Sequence, residues 1–395
     1  MKHRIVILGA GYAGAFSAGY LARQLHADDF ELTVVNAEPD FVERLRLHQL
    51  AAGQDLRHRP LTDIFAGTGI RLRVARVSDI DPAGHSVTVV DDSGVDHIHY
   101  DTLLYALGST AAVDQVHGVA EHAFHVAARP AALRLRRRLS ELGEDGTVLV
   151  VGGNLTAIEA VTEIAEAHPH LRVGLATRGE AGGWLGPKAR RHLFRAFDRL
   201  GVTVHEHTTI DQVDATAAIT ADGTGFAADA VVWAAGFAVH PIAAASGLEV
   251  RPNGQIVVDR QMRSVSHPDV YVAGDSAFVV GDNGRPLPMS CASAGSTSMQ
   301  AVGAIIGDRT GRDIATNAQP YVGNHISLGR KDGIFQLVDS DAHARSWALC
   351  GRTAARVKTT ILDTAAWSLR HPTFGRPGHN YRSVSRPQVP GLVAG

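Results

Sequence analysis

The sequence has few cysteines and no long hydrophobic run. Its 395 residues include two cysteines, Cys291 and Cys350. Two cysteines cannot build a disulfide framework, and their scarcity fits a reducing compartment. They are also too far apart in sequence to form a local redox dithiol. The longest apolar run, residues 230–239, is shorter than the roughly 20 residues of a membrane-spanning helix.

A strong charge of either sign is also lacking. The formal net charge is -2, with 45% hydrophobic and 20% charged residues, which is ordinary for a soluble globular protein. No basic field is present to attract nucleic acid. The N-terminal apolar stretch is too short for a signal peptide, and glycine interrupts it. We expect a cytoplasmic protein of two or three domains without a nucleic-acid partner. No metal-binding motif is evident, so no metal site is expected.

Glycines mark a nucleotide-binding turn near the N-terminus. The apolar strand at residues 4–8 is followed by Gly9, Gly11 and Gly14, then by a helix pattern over residues 15–25 and a second strand at 31–38. In this strand–turn–helix–strand order, the first glycine permits the turn, the second leaves room for a pyrophosphate and the third allows close packing. The helix N-terminus then offers free N–H groups to the phosphate. This turn predicts a dinucleotide site.

The residue at the end of the second strand departs from the usual pattern. An acidic side chain ordinarily binds the ribose hydroxyls at this point, whereas this chain has Asn36, with Glu38 two residues later. An asparagine can still hydrogen-bond a ribose, so we keep Asn36 as a predicted contact.

A second glycine turn follows the apolar strand that begins at Thr147. It has Gly152 and Ala157 in the outer positions and Asn154 in the middle one, where a side chain would intrude on a pyrophosphate. The next strand ends at Thr177-Arg178, and an arginine there suits the 2′-phosphate of NADP better than NAD. The altered turn has two interpretations: a re-tuned nicotinamide site, or a site that has lost its cofactor.

Three further motifs complete an ordered set. The strand exits Ala106-Leu107-Gly108 and Ala234-Ala235-Gly236 flank the second turn, and Gly274-Asp275 precedes a helix rich in small residues. This order resembles the flavoproteins that have two dinucleotide-binding domains. Within that superfamily the chain is most similar to the type II NADH:quinone oxidoreductases, over about residues 1–330.

The resemblance implies which residues contact cofactors. The glycines of the first turn would hold the FAD pyrophosphate, Val77 would border the adenine, and Asp275 would bind the ribitol or pyrophosphate end. A helix starting near Ala292 would point its N-terminus at the isoalloxazine, where a positive dipole stabilises the reduced ring. The complete cofactor set is Gly9, Ala10, Gly11, Ala13, Gly14, Asn36, Ala37, Arg44, Val77, Ala106, Leu107, Gly108, Gly274, Asp275 and Ala292 for FAD, and Gly152, Asn154, Glu159, Arg178 and Gly236 for the nicotinamide dinucleotide.

The chain departs from the resembled family where substrate would bind. His48 stands where the family has a tyrosine beside the flavin, followed by Gln49; Gly295 and Met299 replace two glutamines, while Gln300 remains. We therefore expect His48, Gln49 and Gln300 to be the catalytic residues, with His48 as a proton donor because imidazole titrates near neutrality. A structural role for His48 stays open.

The C-terminal part predicts short strands over residues 321–350 and a helix over 353–369. Its apolar stripe is Val357, Ile361, Leu362, Ala365 and Leu369, with Arg352, Arg356, Lys358 and Arg370 around it. In the resembled family such helices attach to a membrane surface. Here a peripheral membrane contact at the inner face, packing on the body and a homodimer contact all stay open. The tail after His371 is expected to be irregular.

The predicted fold class is α/β, with two Rossmann-like dinucleotide-binding domains, one inserted in the other, and a short C-terminal segment. The division is residues 1–112 and 241–325 for the FAD domain, 113–240 for the inserted NAD(P)H domain and 326–395 for the C-terminal interface segment.

Three functions are compatible with this pattern. The first is an FAD enzyme that accepts a hydride from NADPH or NADH and reduces a quinone or similar small aromatic acceptor. The second is an FAD-dependent oxidase or dehydrogenase of a small metabolite, with a degenerate nicotinamide site. The third is a flavin-bound sensor without turnover, which no regulatory motif supports.

Overall fold

A computed structural model describes residues 1–319, 322–339, 343–375 and 377–384. The strands of the described residues are β1 His3–Leu8, β2 Phe30–Asn36, β3 Arg71–Val74, β4 Arg76–Asp81, β5 Ser86–Asp91, β6 Gly94–His99, β7 Thr102–Tyr105, β8 Ser109–Ala111, β9 Thr147–Val151, β10 Arg172–Ala176, β11 Thr203–His205, β12 Ile210–Val213, β13 Ala217–Thr220, β14 Gly225–Ala227, β15 Ala230–Trp233, β16 Phe237–Val239, β17 Ile256–Val257, β18 Val270–Val272, β19 Ala277–Phe278, β20 Gly323–Ser327, β21 Gly333–Val338 and β22 Ala344–Cys350.

Helices connect and cover these strands. The α-helices of the described residues are α1 Tyr12–Gln24, α2 Leu47–Ala51, α3 Leu61–Ile64, α4 Val119–His122, α5 Arg129–Glu141, α6 Leu155–Ala167, α7 Pro187–Leu200, α8 Ile242–Ala245, α9 Cys291–Thr310 and α10 Arg352–Ser368, and short 3₁₀ helices cover Arg44–Arg46 and Gly274–Ser276. None of these helices has the length and hydrophobicity needed to cross a bilayer.

The first sheet is parallel and contains strands from both ends of the chain. Its order is β18-β7-β1-β2-β3, and α1 and α9 pack against each other beside it. Strand β1 has four consecutive buried residues, as expected for a parallel sheet covered on both faces. Strand β18 pairs with β7 of this sheet, although it follows all strands of the second sheet in sequence.

The second sheet is also parallel, with the order β11-β10-β9-β15. Helix α6 connects β9 to β10, and α7 connects β10 to β11. The strands β9 and β10 and the start of α6 therefore repeat the arrangement around the first glycine turn. The predicted class, with one Rossmann-like unit inserted in another, is confirmed.

The C-terminal segment folds onto the second unit. Strands β20, β21 and β22 form an antiparallel sheet, which contacts α6, α7 and α10. Ile326 and Ile334 belong to the same buried cluster as the residues of α6 and β9. This packing brings the C-terminal helix against the helix that follows the second glycine turn.

The bounds of α10 agree with the prediction, but its buried stripe does not. The helix buries Ala354, Lys358, Leu362 and Ala366, with Leu369 just after it, whereas Val357, Ile361 and Ala365 are half-buried. Leu362 and Leu369 are buried as predicted, but the rest of the buried face is shifted by about one residue and includes Lys358. Of the predicted irregular tail, Tyr381 pairs its backbone with Leu25, and residues 385–395 lie outside the described residues.

Candidate functional site

The N-terminal glycine turn has two tightly packed glycines and one open one. Gly9 has φ +91°, and a Cβ there would lie 2.4 Å from the Ala106 carbonyl oxygen. A Cβ on Gly14 would lie 1.9 Å from the Gly9 carbonyl oxygen. Nothing lies within 4 Å of the Cβ position of Gly11. Gly9 and Gly14 are thus required by packing, while Gly11 leaves space beside the helix N-terminus.

That space is part of a first cavity of about 480 Å³. The predicted FAD residues that line it are Gly9, Gly11, Ala13, Asn36, Ala37, Arg44, Val77, Ala106, Leu107, Gly108, Gly274 and Asp275. Segments that are distant in sequence therefore meet around one cavity. Ala10 and Gly14 lie behind its wall.

Asn36 holds the turn from the end of β2. Its Oδ1 accepts a hydrogen bond from the Ala10 N–H at 2.8 Å, and its Nδ2 donates to the Glu38 carbonyl at 2.7 Å. The side chain thus has protein partners on both polar atoms, so its amide orientation is fixed by the fold. Nδ2 has one more hydrogen, and the contact with a ribose stays a prediction.

Arg44, Ser109 and Asp275 form a polar network at the inner end of this cavity. The Arg44 guanidinium donates to the Ser109 carbonyl and, at 3.0 Å, to the Ser109 hydroxyl. That hydroxyl donates to Asp275 Oδ2 at 2.6 Å. Arg44 also lies over the Phe237 ring, 5.1 Å from its centroid. The network fixes the Asp275 carboxylate, which faces the cavity.

A second cavity of about 460 Å³ adjoins the first. The two share Arg44, Asp275, Ser290 and Cys291 in their walls. The other walls of the second cavity include the second glycine turn and α6, the start of α9 with Ala292, the C-terminal segment, and His48 on α2. The junction of the cavities therefore lies between the two Rossmann-like units.

The start of α9 forms part of this junction. Ser290 caps the helix by accepting the Ser293 N–H at 3.2 Å. Burial raises the pKa of the Cys291 thiol to about 12, and the charge of Asp275 adds to the rise. A thiol with such a pKa is protonated at neutral pH and is a poor nucleophile. Among the described residues, no group of three or more possible ligands could hold a metal ion.

Asn154 lies in the wall of the second cavity, and its side chain is bound to the backbone at the second turn. Its Oδ1 accepts the Ala157 N–H at 3.0 Å, and its Nδ2 donates to the Ala234 carbonyl at 2.9 Å. The side chain is therefore the N-cap of α6, a role that asparagine favours. Gly152 makes the turn itself, with φ +145° and a Cβ position only 2.5 Å from the Ala234 oxygen.

Glu159 and Lys358 form an ion pair in the wall of the second cavity. Lys358 Nζ contacts Glu159 Oε1, and both side chains are nearly buried. The same oxygen accepts the Ser327 N–H at 2.9 Å. Burial, together with the charge of the nearby Arg46, lowers the pKa of Lys358 to about 7.

His48 lies on the other side of Glu159, with its Nδ1 4.0 Å from Glu159 Oε2. Its Nε2 is buried without a hydrogen-bond partner, and the residue lines the second cavity. Burial and the charge of Lys358 lower its pKa well below the usual value. Burial thus favours the neutral imidazole of His48, which opposes its predicted role as a proton donor near neutral pH; a catalytic role of His48 stays a prediction.

Comparison with protein families gives a match over most of the chain. Residues 3–301 match the model for pyridine nucleotide-disulphide oxidoreductases. The chain belongs to this family. A type II NADH:quinone oxidoreductase of Staphylococcus haemolyticus is 26% identical over 405 residues, covering 92% of this chain and 95% of the relative.

Solved structures share the fold of this oxidoreductase. The NDH2 of Plasmodium falciparum, solved with NADH, has a TM-score of 0.78 and 13% identity, covering 95% of this chain and 97% of that chain. The sulfide:quinone oxidoreductase of Aquifex aeolicus has a TM-score of 0.78 and 18% identity, covering 94% and 92%. Family membership implies a flavin and a pyridine nucleotide as redox groups.

Several predicted residues of this oxidoreductase lie outside both cavities. Gln300 is fully buried, donates to the Ala315 carbonyl at 3.0 Å and accepts the Asn317 N–H at 2.7 Å, so it anchors the loop after α9. Gln49 is buried on α2. Arg178 is exposed after β10, and Gly236, with φ +155°, ends the segment after β15.

Sequence reasoning missed Lys358, Ser109 and His325. Lys358 was assigned to the polar surroundings of α10, although it follows Ala354 and precedes Leu362 and Ala366 at intervals of four residues. This four-residue spacing with apolar residues could have indicated that Lys358 is buried. Ser109 follows the predicted strand exit directly, and His325 lines the second cavity from β20, where no motif marks it.

Proposed function

We propose that the protein is an FAD-dependent NAD(P)H oxidoreductase that reduces a quinone or a similar small aromatic acceptor. The observation that carries the proposal is the junction of the two cavities. One cavity begins at the first glycine turn, the other reaches the second turn, and Arg44, Asp275 and Cys291 belong to both. The staphylococcal relative is named as an NADH:quinone oxidoreductase, which supports a nicotinamide dinucleotide as electron donor and a quinone as acceptor.

The first cavity fits FAD. No side chain caps α1, and no acidic residue lies in its first turn, so its N-terminus suits a pyrophosphate. The open space at Gly11 lies beside it. Asn36, Ala37 and Val77 would then surround the adenosine, and Asp275 and Ala292 would lie toward the ring. When bound, the flavin would accept a hydride and release its electrons to the acceptor.

The arrangement of the sheets supports the proposed domain division. We assign residues 1–112 and 241–325 to the flavin unit, because β18 pairs with β7 of the same sheet. Residues 113–240 contain the whole second sheet and form the nicotinamide unit. We propose residues 326–395 as the C-terminal segment; strand β20 of its sheet begins three residues before this boundary, at residue 323.

The second turn suits a nicotinamide dinucleotide. The Asn154 side chain is held at the N-cap of α6 by the Ala157 N–H and the Ala234 carbonyl and lines the second cavity, so we propose that a dinucleotide binds beside it. Glu159 lines the cavity one turn further along the helix. Arg178 is exposed beside the end of β10, where it could pair with a 2′-phosphate. We therefore propose that NADPH binds more tightly than NADH.

Proton transfer to the acceptor would involve three residues of the second cavity: Glu159, Lys358 and His48. Lys358, whose pKa is lowered to about 7, would donate a proton to the acceptor from the wall of the second cavity. Neutral His48 has a free Nε2 that can hydrogen-bond a bound molecule. The alternative, an FAD oxidase of a small metabolite, rests on His48 and on the side chain of Asn154 at the second turn.

A peripheral membrane contact stays a prediction. At the end of α10, Trp367 and Phe374 are 42% and 77% exposed and pack edge to face. Exposed aromatic side chains of this kind suit a membrane interface. A homodimer also stays a prediction.

Anaerobic stopped-flow mixing tests the proposed function. NADPH, and more weakly NADH, should bleach the flavin absorbance of the holoprotein, and menadione or ubiquinone-1 should restore it. Lys358→Met should slow the second step, whereas Lys331→Met, which changes an exposed lysine, should not. If neither nucleotide bleaches the flavin but a metabolite does, the alternative function is correct.

A further inference from the structure

Two histidines with unpaired ring nitrogens line the second cavity. His48 lies on α2 and is 4% exposed, and its Nε2 is buried without a hydrogen-bond partner. His325 lies on β20, and its Nδ1 is also buried without a partner. Both residues belong to the cavity wall. Buried polar atoms normally have partners, because they have lost their hydrogen bonds to water. These two nitrogens therefore indicate where a ligand makes hydrogen bonds.

The ion pair between Glu159 and Lys358 connects the two histidines. Lys358 Nζ contacts Glu159 Oε1 and donates to the His325 carbonyl oxygen at 3.4 Å. The other carboxylate oxygen, Glu159 Oε2, lies 4.0 Å from His48 Nδ1. The contacts thus run from α2 through α6 and α10 to β20. Both histidines lie beside the same ion pair, so one ligand can reach both.

The ion pair also sets the direction of the hydrogen bond that His48 can make. Burial lowers the pKa of His48, and the charge of Lys358 acts in the same direction, so the ring is neutral and carries one N–H. An N–H on Nδ1 faces the Glu159 carboxylate favourably, whereas a lone pair there would face its negative charge. The neutral ring therefore carries its proton on Nδ1, and the buried Nε2 is a hydrogen-bond acceptor.

This acceptor atom calls for a hydrogen-bond donor on the ligand. The carbonyl oxygens of a quinone only accept hydrogen bonds, whereas the hydroxyl groups of a phenol or quinol also donate them. His325 Nδ1 has no protein partner that reserves it, so it is available for a second ring oxygen. An aromatic ring also suits the apolar part of the cavity wall, which includes Val126, Leu155, Phe237, Pro288 and Met289.

We propose that the second cavity binds the hydroxyl-bearing form of its aromatic acceptor more tightly than the carbonyl form. His48 Nε2 accepts the ring O–H, and His325 Nδ1 bonds the second ring oxygen. This inference rests on the proposed function and names the ligand chemistry, a phenol or quinol ring. A hydride supplies two electrons and one proton, and water supplies the second proton that turns a quinone into a quinol. Tighter binding of the quinol makes the bound quinone easier to reduce, because a site shifts an equilibrium by its differential affinity.

Two ligands of similar size test the need for a donor without turnover. 1-Naphthol carries a hydroxyl group where 1-methylnaphthalene carries a methyl group, and neither is a quinone. The oxidised holoprotein should bind 1-naphthol at least about tenfold more tightly, because the methyl group leaves the buried nitrogen unpaired. Titration calorimetry gives both Kd values. Equal affinities, tighter binding of 1-methylnaphthalene or no binding of 1-naphthol would overturn the proposal.

Variants of His48 locate this preference in the molecule. His48→Phe keeps a planar ring but removes the acceptor nitrogen, so the two ligands should bind with nearly equal affinity. His48→Gln has a side-chain oxygen that can accept a hydrogen bond, and it should retain part of the preference. His99→Phe makes the same change at an exposed histidine of β6 and should behave as the wild type. A preference that persists unchanged in His48→Phe and His48→Gln would contradict the assignment to His48.

A ligand with a second ring oxygen tests the contact with His325. 4-Methoxy-1-naphthol has an ether oxygen opposite its hydroxyl group, and His325→Phe should weaken its binding more than that of 1-naphthol. Equal weakening of both ligands indicates that His325 acts by packing, and unchanged binding of both indicates no contact. Either result overturns the second hydrogen bond.

The nicotinamide carboxamide is a different donor that could reach His48. The NADP analogue with an acetyl group in place of the carboxamide lacks its N–H groups. His48→Phe should change the affinities for NADP and for this analogue equally. A selective loss of NADP affinity would assign Nε2 to the nucleotide and overturn the proposal.

The outcomes also separate this inference from the proposed function. Absence of flavin bleaching by both nucleotides in the wild type overturns the proposed function. Normal bleaching with equal affinities for 1-naphthol and 1-methylnaphthalene overturns only the role of the two histidines.

Discussion

Lys358 and Glu159 form a nearly buried ion pair, although 199 residues separate them in sequence. The pair joins the C-terminal helix α10 to α6, the helix that begins at the second glycine turn. Its position in the wall of the second cavity means that the C-terminal segment contributes to the site as well as to packing. Loss of either charge should therefore affect both stability and acceptor reduction.

The stability effect of this pair can be measured by urea denaturation at pH 6, where Lys358 is charged. Lys358→Met should cost about 3–5 kcal/mol, because it leaves the Glu159 charge buried and uncompensated. The double variant Glu159→Gln/Lys358→Met should recover most of that loss. Lys331→Met is the control for a lysine on the surface. Equal stability of Lys358→Met and wild type would show that the pair does not exist in solution.

Glu163 predicts a pH dependence of stability with a definite sign. Its pKa is raised from 4.5 to about 7 in the folded protein, so folding becomes less favourable as the pH rises from 4.5 through 7. At pH 8 Glu163→Gln should be more stable than wild type by about 3 kcal/mol, from 1.36 kcal/mol per pKa unit. At pH 4.5 the difference should be small. A constant difference across this range would contradict the raised pKa.

The open glycine of the first turn separates folding from flavin binding. Gly11 has an ordinary φ of −74° and free space at its Cβ position, so Gly11→Val should fold normally. The added side chain would occupy the space proposed for the pyrophosphate, and the purified variant should be colourless. Circular dichroism and the flavin absorbance measure the two properties. Gly143→Val, also without neighbours at its Cβ, should retain flavin.

Arg178 should decide the choice between the two nicotinamide nucleotides. Arg178→Ala should raise the KM for NADPH at least about tenfold, the loss of one charge-assisted pair, and leave the KM for NADH nearly unchanged. Arg191→Ala removes an exposed arginine from α7 and is the matched control. An equal effect on both nucleotides would place the 2′-phosphate elsewhere.

Local sequence patterns predicted the residues of the first cavity, because each motif consists of a few adjacent residues: the glycine turn, the helix start and the strand exits. The N-cap role of Asn154 also had a local signal, because asparagine is a favoured residue at the start of a helix. Gln300 was assigned from the resembled family's helix, and here its side chain hydrogen-bonds the backbone of Ala315 and Asn317. The Lys358–Glu159 pair depends on how distant segments pack, which no local pattern contains.

The central claim is that a flavin occupies the cavity beside Gly11 and extends to Asp275. Its most direct test is the flavin content of the purified, folded protein, measured by releasing the cofactor and quantifying it against the chain. The account predicts one non-covalently bound FAD per chain, present on purification or taken up on reconstitution. A folded protein that is colourless and takes up no FAD would contradict it.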